Sequence, residues 1–488
     1  MNGFFRRNGV FAVIEIAGRL PLLFTVGYTA ATVGASVYGD WALVLATVGV
    51  LTGLGGLGLN SAIARMASGE GHEYARGYLV YALRTCAALV LAIGVLLLIA
   101  HEPIGRLLGI SPGSRNLLAL GGVIALTGTV DALFDAYFKA RERLRRQAAF
   151  VLGRTCIEVA VVAVVFGTDL FGTDDPQTRL ALYVALTSGA RFLGLYPLLL
   201  LGREGHELPD RAARRTFVRY GLPMVPAAPV LWLTTQGDRL VLGHAVSSTQ
   251  LGWYAFGAGL AANFSYLGLA VYPLLLPRAS VLFDSGDRAA VAQLFDSSQR
   301  VYLALYAGVA VALALLAPDV IRATAGDEFA PSAPILLLLA LAVGLEGLIG
   351  IFQWVFHLVK RTSLVLATNL VYMALQIGAV FTVATVTGDI LAVAWTVLGV
   401  VVVANAIRYM IARRFRLIHL RPALVAGLGA LGVVVFAAAE IGQDWPLGIR
   451  LALAGLAGAA GVLGALRAAG VDAPRWRSVR LGPKVARS

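Results

Sequence analysis

The sequence has few charged residues and few of the side chains on which enzyme or metal chemistry depends. Of its 488 residues, 14% are Asp, Glu, Lys or Arg, against about 25% in soluble globular domains. Its two cysteines, Cys86 and Cys156, are too few for a disulfide framework. The six histidines are scattered without the spacing of metal ligands. These scarcities exclude a disulfide-rich secreted protein, and we expect neither a metal nor a cofactor.

The sequence also lacks a nucleotide-binding loop and a Ser-His-Asp constellation. Its 55 glycines lie mostly in apolar stretches such as Gly53–Asn60, where small residues allow helices to approach closely. No glycine-rich loop is followed by the lysine that a phosphate-binding loop requires. We therefore expect a protein that is not an enzyme and does not use ATP directly.

Long apolar runs are abundant. The chain is 58% hydrophobic with a mean hydropathy of +0.79, and runs of about 20 residues, the length of a membrane span, recur from end to end. This pattern predicts an all-α polytopic membrane protein with 14 transmembrane helices. The predicted spans are 10–35, 42–64, 77–100, 116–138, 148–167, 179–202, 217–244, 250–277, 298–318, 333–356, 363–386, 388–409, 422–440 and 447–467.

The distribution of lysine and arginine predicts the orientation in the cell membrane. One set of connections carries basic clusters such as Lys139–Arg146 and Arg413–Arg416, whereas the alternate connections carry acids such as Asp174 and Asp175. Because cytoplasmic loops hold the excess of positive charge, both termini should be cytoplasmic. This asymmetry explains most of the net charge of +13. The basic residues lack aromatic interleaving, so we expect contacts with membrane lipids and none with nucleic acid.

Four arginines fall inside predicted spans of the first half of the chain: Arg19, Arg84, Arg154 and Arg191. An arginine near a helix centre costs about 2.5–3.5 kcal/mol on insertion scales, so it usually faces a cavity or a partner. A guanidinium group stays charged and binds phosphate oxygens in a bidentate fork. The pattern therefore predicts that these arginines bind an anionic substrate.

Helix spacing leaves a structural alternative open for two of the arginines. Glu15 precedes Arg19 by four residues, and Glu158 follows Arg154 by four. Residues four apart share a helix face, so each arginine could be neutralised on its own helix.

Arg84 and Arg191 have no carboxylate three or four residues away on the same helix. They are the sharper candidates for a role facing a cavity. A partner on another helix, for instance Asp131 for Arg84, remains an alternative.

Other ionisable residues within spans are candidates for gating or coupling. Asp238 and Arg239 lie close to the outer end of the seventh span, and adjacent helical residues point about 100° apart. We interpret them as outer-gate residues, with structural hydrogen bonding as the alternative. Glu346, a lone acid in the tenth span, could couple a proton or a cation, or be a protonated core residue. The full set of gating and coupling candidates is Asp238, Arg239, Glu15, Glu158, Asp131 and Glu346.

An internal repeat relates the two halves of the chain. Four residues near the second span align without gaps to four near the eighth at a constant offset of 213. Parallel repeats are typical of alternating-access transporters, with the substrate site between the halves. The matched pairs are Gly39 with Gly252, Trp41 with Tyr254, Ala42 with Ala255, and Arg65 with Arg278.

Five segments, in order along the chain, resemble the oligosaccharide flippases, the Wzx-type polysaccharide exporters of the multidrug/oligosaccharidyl-lipid/polysaccharide (MOP) superfamily. The segments are Tyr38–Ser68, Gly221–Gly243, Leu251–Leu260, Asp284–Arg300 and Ala317–Leu336. The resemblance covers about residues 1–415. It implies a flippase that moves a polyprenyl-diphosphate-linked oligosaccharide from the cytoplasmic to the outer leaflet. It also implies glycan assembly proteins as partners.

The resemblance further implies two lobes of six helices each, related by a parallel pseudo-twofold repeat, and two extra C-terminal helices. The predicted divisions are an N-lobe at 1–202, a cytoplasmic linker at 203–216, a C-lobe at 217–415, helices 13 and 14 at 416–470, and a basic cytoplasmic tail at 471–488.

Two other functions stay open. A cation-coupled drug or organic-cation antiporter of the same superfamily would share the repeat, but carboxylates should dominate its cavity. In this sequence the arginines within the predicted spans at least match the carboxylates. A membrane-embedded glycan polymerase normally needs a large loop with catalytic residues, and no predicted outer loop exceeds about 15 residues.

Overall fold

A computed structural model of the chain describes residues 2–67, 75–141, 143–200, 208–270, 272–418 and 422–468. Helices joined by short connections make up these residues, and no strand occurs among them. The protein is therefore all-α, as predicted.

Seventeen α-helices occur among the described residues, several of them continued by short 3₁₀ or π segments. They are α1 (Asn2–Gly55), α2 (Leu59–Met66), α3 (Ala75–Leu107), α4 (Gly121–Ala140), α5 (Leu144–Gly167), α6 (Pro176–Ala190), α7 (Tyr196–Leu200), α8 (Arg211–Gly221), α9 (Ala227–Ala245), α10 (Ser248–Ala261), α11 (Tyr272–Asp284), α12 (Arg288–Ala325), α13 (Ser332–Leu358), α14 (Thr362–Thr387), α15 (Ile390–Ala412), α16 (Pro422–Ile441) and α17 (Leu447–Ala468).

Within the described residues, 10 helices are long and apolar enough to cross a membrane. Two shorter apolar helices, Pro21–Val33 and Val425–Ile441, add to these. Each predicted span coincides mainly with helical structure where the chain is described, although turns at residues 56–58 and 225–226 interrupt the second and seventh spans. The fold is that of a polytopic membrane protein with about 14 transmembrane helices, which confirms the predicted class.

The first two predicted spans share one long helix, which is broken in the middle. Helix α1 loses helical geometry at Gly34, where φ is +80° and ψ is 159°. Glycine tolerates this positive φ because it has no Cβ. The break makes Ala35 the start of a second helical segment, so its backbone N–H has no acceptor within the preceding turn.

The sixth predicted span also departs from regular geometry. Arg191–Leu195 form a π-helical turn between α6 and α7. Such turns interrupt the regular hydrogen-bond ladder and occur frequently at functional sites. This turn begins at an arginine that sequence analysis selects as a substrate-binding candidate.

The chain divides into two compact units. The first comprises Met1–Asn263, Pro318–Ala342 and Ser363–Ala404; the second comprises Phe264–Ala317, Val343–Thr362 and Asn405–Ser488. The lobe boundaries that the resemblance implies remain a prediction.

Aromatic side chains fill part of the core of the first unit. Phe134 of α4 stacks on Tyr196 of α7 with ring centroids 5.3 Å apart, and on Phe138 at 5.8 Å. Phe150 of α5 lies 6.1 Å from Phe134. These rings bury large apolar areas and hold α4, α5 and α7 together around the charged residues described below.

In the second unit, glycines allow helices to touch. Tyr302 and Tyr306 of α12 lie directly against Gly344 and Gly347 of α13, where an added Cβ would overlap the rings or the Tyr302 hydroxyl. The Tyr302 hydroxyl also donates to the Gly344 carbonyl at 3.2 Å. Small residues thus set the distance between these two helices.

Candidate functional site

A cavity of about 330 Å³ lies within the first unit, between α1, α4, α5 and α6. Its polar wall consists of hydroxyl groups and one acid–arginine pair, and its remaining wall is apolar or aromatic. The polar and aromatic lining residues are Thr25, Thr29, Tyr38, Trp41, Thr127, Glu158, Tyr183, Thr187, Ser188 and Arg191.

Arg191 connects three helices beside this cavity. One terminal nitrogen of its guanidinium donates to Asp131 Oδ2 of α4 at 3.0 Å. The other terminal nitrogen donates to Glu158 Oε2 of α5. Arg191 is 8% exposed. A buried arginine is tolerated in such a position because its charge is paired and both of its terminal nitrogens are bonded.

Two tyrosines and a second arginine complete the cluster. The Tyr196 hydroxyl donates to Asp131 Oδ1 at 2.8 Å, and the Tyr183 hydroxyl donates to Glu158 Oε1. A terminal nitrogen of Arg154 lies 3.6 Å from Asp131 Oδ2. The cluster therefore contains two carboxylates and two guanidinium groups, and its formal charges cancel.

The structure pairs these residues differently from the same-helix alternative. Arg154 contacts Asp131 on α4, whereas Glu158, four residues after Arg154 on α5, bonds to Arg191 and Tyr183. Arg191 has two carboxylate partners on other helices, although it has none on its own. Among the predicted substrate-binding arginines whose side chains the structure describes, it is the one that lines the cavity.

Arg84 lies elsewhere. It is an exposed residue of α3, on the same helical stripe as Leu91 and Val95, which are 56% and 55% exposed. Among the described residues it makes no hydrogen bond or ion pair and does not line the cavity. Asp131, the inter-helix partner considered for it, is bonded to Arg191, Arg154 and Tyr196 instead.

Glu15 and Arg19 lie in the first part of α1. Their side chains fall outside the described residues, so both remain predictions.

Asp238 and Arg239 lie on α9 and do not form an ion pair with each other within the described structure. Asp238 is buried, and its Oδ2 accepts from the Tyr254 hydroxyl of α10 at 2.6 Å. Its Oδ1 accepts from the backbone N–H of Arg239 at 2.8 Å. These hydrogen bonds fit the structural alternative, and the gating role remains a prediction.

Glu346 of α13 is not isolated in the second unit. Arg408 of α15 interacts with it electrostatically. Arg408 is buried and donates to Asn405 Oδ1 at 3.2 Å. The description of Glu346 as a lone acid was therefore incomplete, because its basic neighbour lies on a helix that is distant in the sequence.

Sequence reasoning missed a carboxylate that caps the broken helix α1. Glu328 Oε1 accepts from the backbone N–H of Ala35 at 2.8 Å. Phe329, the next residue, is fully buried and lies 5.9 Å from the Tyr38 ring. Gly34 and Gly326, which precede the two contact segments, both adopt a φ of +80°, a feature that the sequence alone does not reveal.

Asp40 was missed as well. This buried acid of α1 accepts from the Ser248 hydroxyl of α10 at 2.9 Å and from the Ser111 hydroxyl at 3.4 Å. Gly39, its neighbour, lies directly against the backbone of Ser248 and Gly252. These contacts occur at the predicted outer ends of the helices and join the two halves of the repeat.

No group of three or more His, Cys, Asp or Glu residues that could hold a metal ion occurs in the part of the chain that the structure describes. The candidate functional features of the first unit are a cavity with one polar wall, a balanced acid–arginine cluster and close contacts at the predicted outer side.

Comparison with known proteins places the chain in a family. The family of polysaccharide biosynthesis proteins matches residues 7–283. No curated protein sequence matches the chain.

Solved structures share the fold. The lipid II flippase MurJ in an inward closed conformation is 12% identical, with 96% of this chain and 99% of that chain covered and a TM-score of 0.69. An inward-facing multidrug resistance MATE family transporter of the MOP superfamily is 15% identical, with 85% and 99% covered and a TM-score of 0.66. The protein therefore has the fold of the MOP superfamily, and by its family match it belongs to the polysaccharide biosynthesis proteins.

Proposed function

We propose that this protein translocates a polyprenyl-diphosphate-linked oligosaccharide from the cytoplasmic to the outer leaflet by alternating access. Membership of the polysaccharide biosynthesis family supports a glycan as the cargo. The fold shared with a lipid II flippase supports a lipid-linked form of it. The observation that carries the proposal is the cavity lined by hydroxyl and ionic groups within membrane-spanning helices.

A glycan cannot cross the hydrocarbon core unaided, because each hydroxyl group would lose its hydrogen bonds to water. Cavity residues such as Thr29, Thr187 and Ser188 offer replacement donors and acceptors. The prenyl chain needs no such lining and can remain in lipid throughout the transfer.

The diphosphate requires a positive partner outside the balanced cluster. Arg191 and Arg154 are offset by Asp131 and Glu158. Arg84 is exposed and has no partner among the described residues. It lies about 14 Å along the helix axis from the start of α3. We infer that Arg84 binds the diphosphate near the cytoplasmic leaflet, where its guanidinium can grip phosphate oxygens.

The contacts at the predicted outer side serve as the gate in this proposal. Glu328 with Ala35, and Asp40 with Ser248, connect segments from the two halves of the repeat. Outward opening must break these hydrogen bonds, and cargo release depends on it.

We further propose a location in the cell membrane with both termini cytoplasmic and glycan assembly proteins as neighbours. An inside-negative potential would then favour outward movement of the diphosphate by about 2.3 kcal/mol per charge at 100 mV. Glu346 is the candidate for coupling to a proton in addition.

Ligand-dependent stability of the purified protein tests the choice of cargo. A ligand that binds only the folded state raises the melting temperature. We expect a polyprenyl-diphosphate oligosaccharide to stabilise the protein and tetraphenylphosphonium, a model organic cation, to leave it unchanged. Stabilisation by the cation alone would favour the antiporter function and contradict the proposal.

A further inference from the structure

Two residues of the cavity wall each have a buried polar atom without a partner within the described structure. These atoms are Nε of Arg191 and Oγ1 of Thr187, and both residues line the cavity. Both residues are more than nine-tenths buried, with 8% and 6% exposed. A buried polar group without a partner has lost its hydration and gained nothing in return, so this wall is arranged for a ligand that supplies oxygen atoms.

The charge of the wall restricts that ligand. The other two guanidinium nitrogens of Arg191 are bonded to Asp131 and Glu158, and the charge of Arg191 is already offset. An anionic group entering the cavity would meet the Glu158 carboxylate. A neutral hydroxyl group fits better, because its oxygen can accept from Arg191 Nε and its hydrogen can be donated to Thr187 Oγ1.

The aromatic lining and the volume of the cavity restrict the chemical class of the ligand further. Trp41, Tyr38 and Tyr183 present aromatic surface beside the hydroxyl groups, and such rings pack against apolar faces while polar edges bond elsewhere. A sugar ring has both kinds of surface. The volume of about 330 Å³ is at the lower end of the range for small-molecule sites, about 300–1,000 Å³, and suits a single ring rather than a whole oligosaccharide.

We propose that this cavity is a subsite for one neutral sugar ring of the cargo, and that Thr187 and Arg191 Nε determine which ring is accepted. The inference rests on the proposed function and deepens it. It separates two tasks: the cavity selects the glycan by neutral hydrogen bonds, and the diphosphate is bound elsewhere.

The test uses a pair of isosteric variants. Thr187→Val removes the unpartnered hydroxyl and keeps the side-chain shape. Thr47→Val is the matched control, because Thr47 of α1 is outside the cavity lining and its hydroxyl already donates to the Leu43 carbonyl of its own helix at 2.9 Å. Each variant is reconstituted in proteoliposomes and compared with the wild type.

Two lipids are compared, a polyprenyl diphosphate bearing N-acetylglucosamine and the same lipid without sugar. We expect Thr187→Val to slow flipping of the sugar-bearing lipid about tenfold, the effect of one hydrogen bond of ordinary strength. Flipping of the sugar-free lipid should be unchanged, and Thr47→Val should match the wild type with both lipids. Equal effects of Thr187→Val on the two lipids, or no effect on either, would overturn the subsite.

A binding measurement separates this inference from the proposed function. In saturation-transfer NMR of the purified protein, N-acetylglucosamine should give a signal that Thr187→Val abolishes and Thr47→Val preserves, and glucuronate should give none. A wild type that flips the lipid but shows no sugar signal would refute the subsite alone. A wild type that binds the sugar but flips neither lipid would refute the flippase function alone.

Discussion

Arg191 and Asp131 form an ion pair of 3.0 Å although they lie 60 residues apart in the chain. Glu158 bonds to the same guanidinium. The pair shows that a buried arginine in this protein is not by itself a free positive charge. The partner of the diphosphate is therefore expected among residues without a carboxylate neighbour rather than at Arg191. The cavity wall beside Arg191 remains neutral and lined with hydroxyl groups, which suits the glycan.

The main effect of replacing Arg191 with alanine should be a loss of stability of the folded protein. Removal of one partner from a buried pair typically costs about 3–5 kcal/mol, because the remaining charge stays buried. We expect a lower melting temperature for Arg191→Ala in detergent. Adding Glu158→Gln to that variant should recover part of the loss, because Asp131 and Arg154 then remain as a balanced pair. An unchanged melting temperature for Arg191→Ala would show that the pair has no structural role.

Replacing Arg84 with alanine should leave the stability of the folded protein unchanged and slow the flipping of a diphosphate lipid. Its side chain is exposed and has no partner within the described structure, so the free energy of unfolding of Arg84→Ala should stay within about 0.5 kcal/mol of the wild type. Flipping of a diphosphate lipid should fall about tenfold, as expected for loss of one charge-assisted interaction. Arg106→Ala, an exposed arginine at the other end of α3, is the matched control and should flip normally. Normal flipping by Arg84→Ala would exclude Arg84 as the diphosphate partner.

The outer contacts should control access from outside. Glu328→Ala leaves the N–H of Ala35 without its acceptor and should raise the population of outward-open molecules. The reporter is Ala255→Cys, a buried position on α10, in a background where Cys86 and Cys156 are replaced by alanine. We expect labelling by a membrane-impermeant maleimide to accelerate several-fold.

Glu102→Ala is the control for this measurement, because Glu102 is an exposed acid that pairs with Arg115. It should leave the labelling rate unchanged. Equal labelling rates for Glu328→Ala and the parent protein would show that the Glu328 contact does not hold the outer side closed.

The close approach of α12 and α13 predicts a steric effect in the second unit. A Cβ on residue 344 would overlap the Tyr306 ring, so Gly344→Ala should lower the free energy of unfolding by about 1–3 kcal/mol. Gly458→Ala on α17 is the control, because nothing lies within 4 Å of an added Cβ there. Thermal unfolding of the two purified variants checks this, and equal melting temperatures would contradict the packing.

The positions of the helices were predictable from the sequence, because runs of about 20 apolar residues have few alternatives to a membrane span. The break at Gly34 was not predicted, since an apolar run continues through it and only the backbone geometry reveals it. Glu328, whose carboxylate accepts from the backbone N–H of Ala35 just after this break, lies 293 residues from Ala35 in the chain. No local pattern connects the two.

The partners of the buried charges were harder to predict. A helix that is apolar on all sides does not reveal which face meets another helix, so same-helix spacing favoured Arg154 with Glu158, whereas Glu158 pairs with Arg191. The same limit explains Arg84: an apolar stripe can face lipid or a cavity, and the sequence does not distinguish them.

The internal repeat carries a long-range signal for the partners of the buried charges. Asp131 and Arg191 are 60 residues apart, and Glu346 and Arg408 are 62 apart. The acids and the arginines of the two pairs are separated by 215 and 217 residues, close to the repeat offset of 213. Each half of the chain thus carries an acid–arginine pair at nearly equivalent positions, and the repeat predicts the partner that same-helix spacing missed.

The central claim is tested most directly by flipping in proteoliposomes that contain only the purified protein and a fluorescent polyprenyl-diphosphate oligosaccharide. The lipid is placed in the leaflet that corresponds to the cytoplasmic side, and its arrival in the other leaflet is followed by quenching with dithionite. We predict protein-dependent transfer that is faster under an inside-negative potential and slower with Arg84→Ala. Transfer no faster than in protein-free liposomes, together with proton-dependent efflux of a cationic dye, would contradict the account.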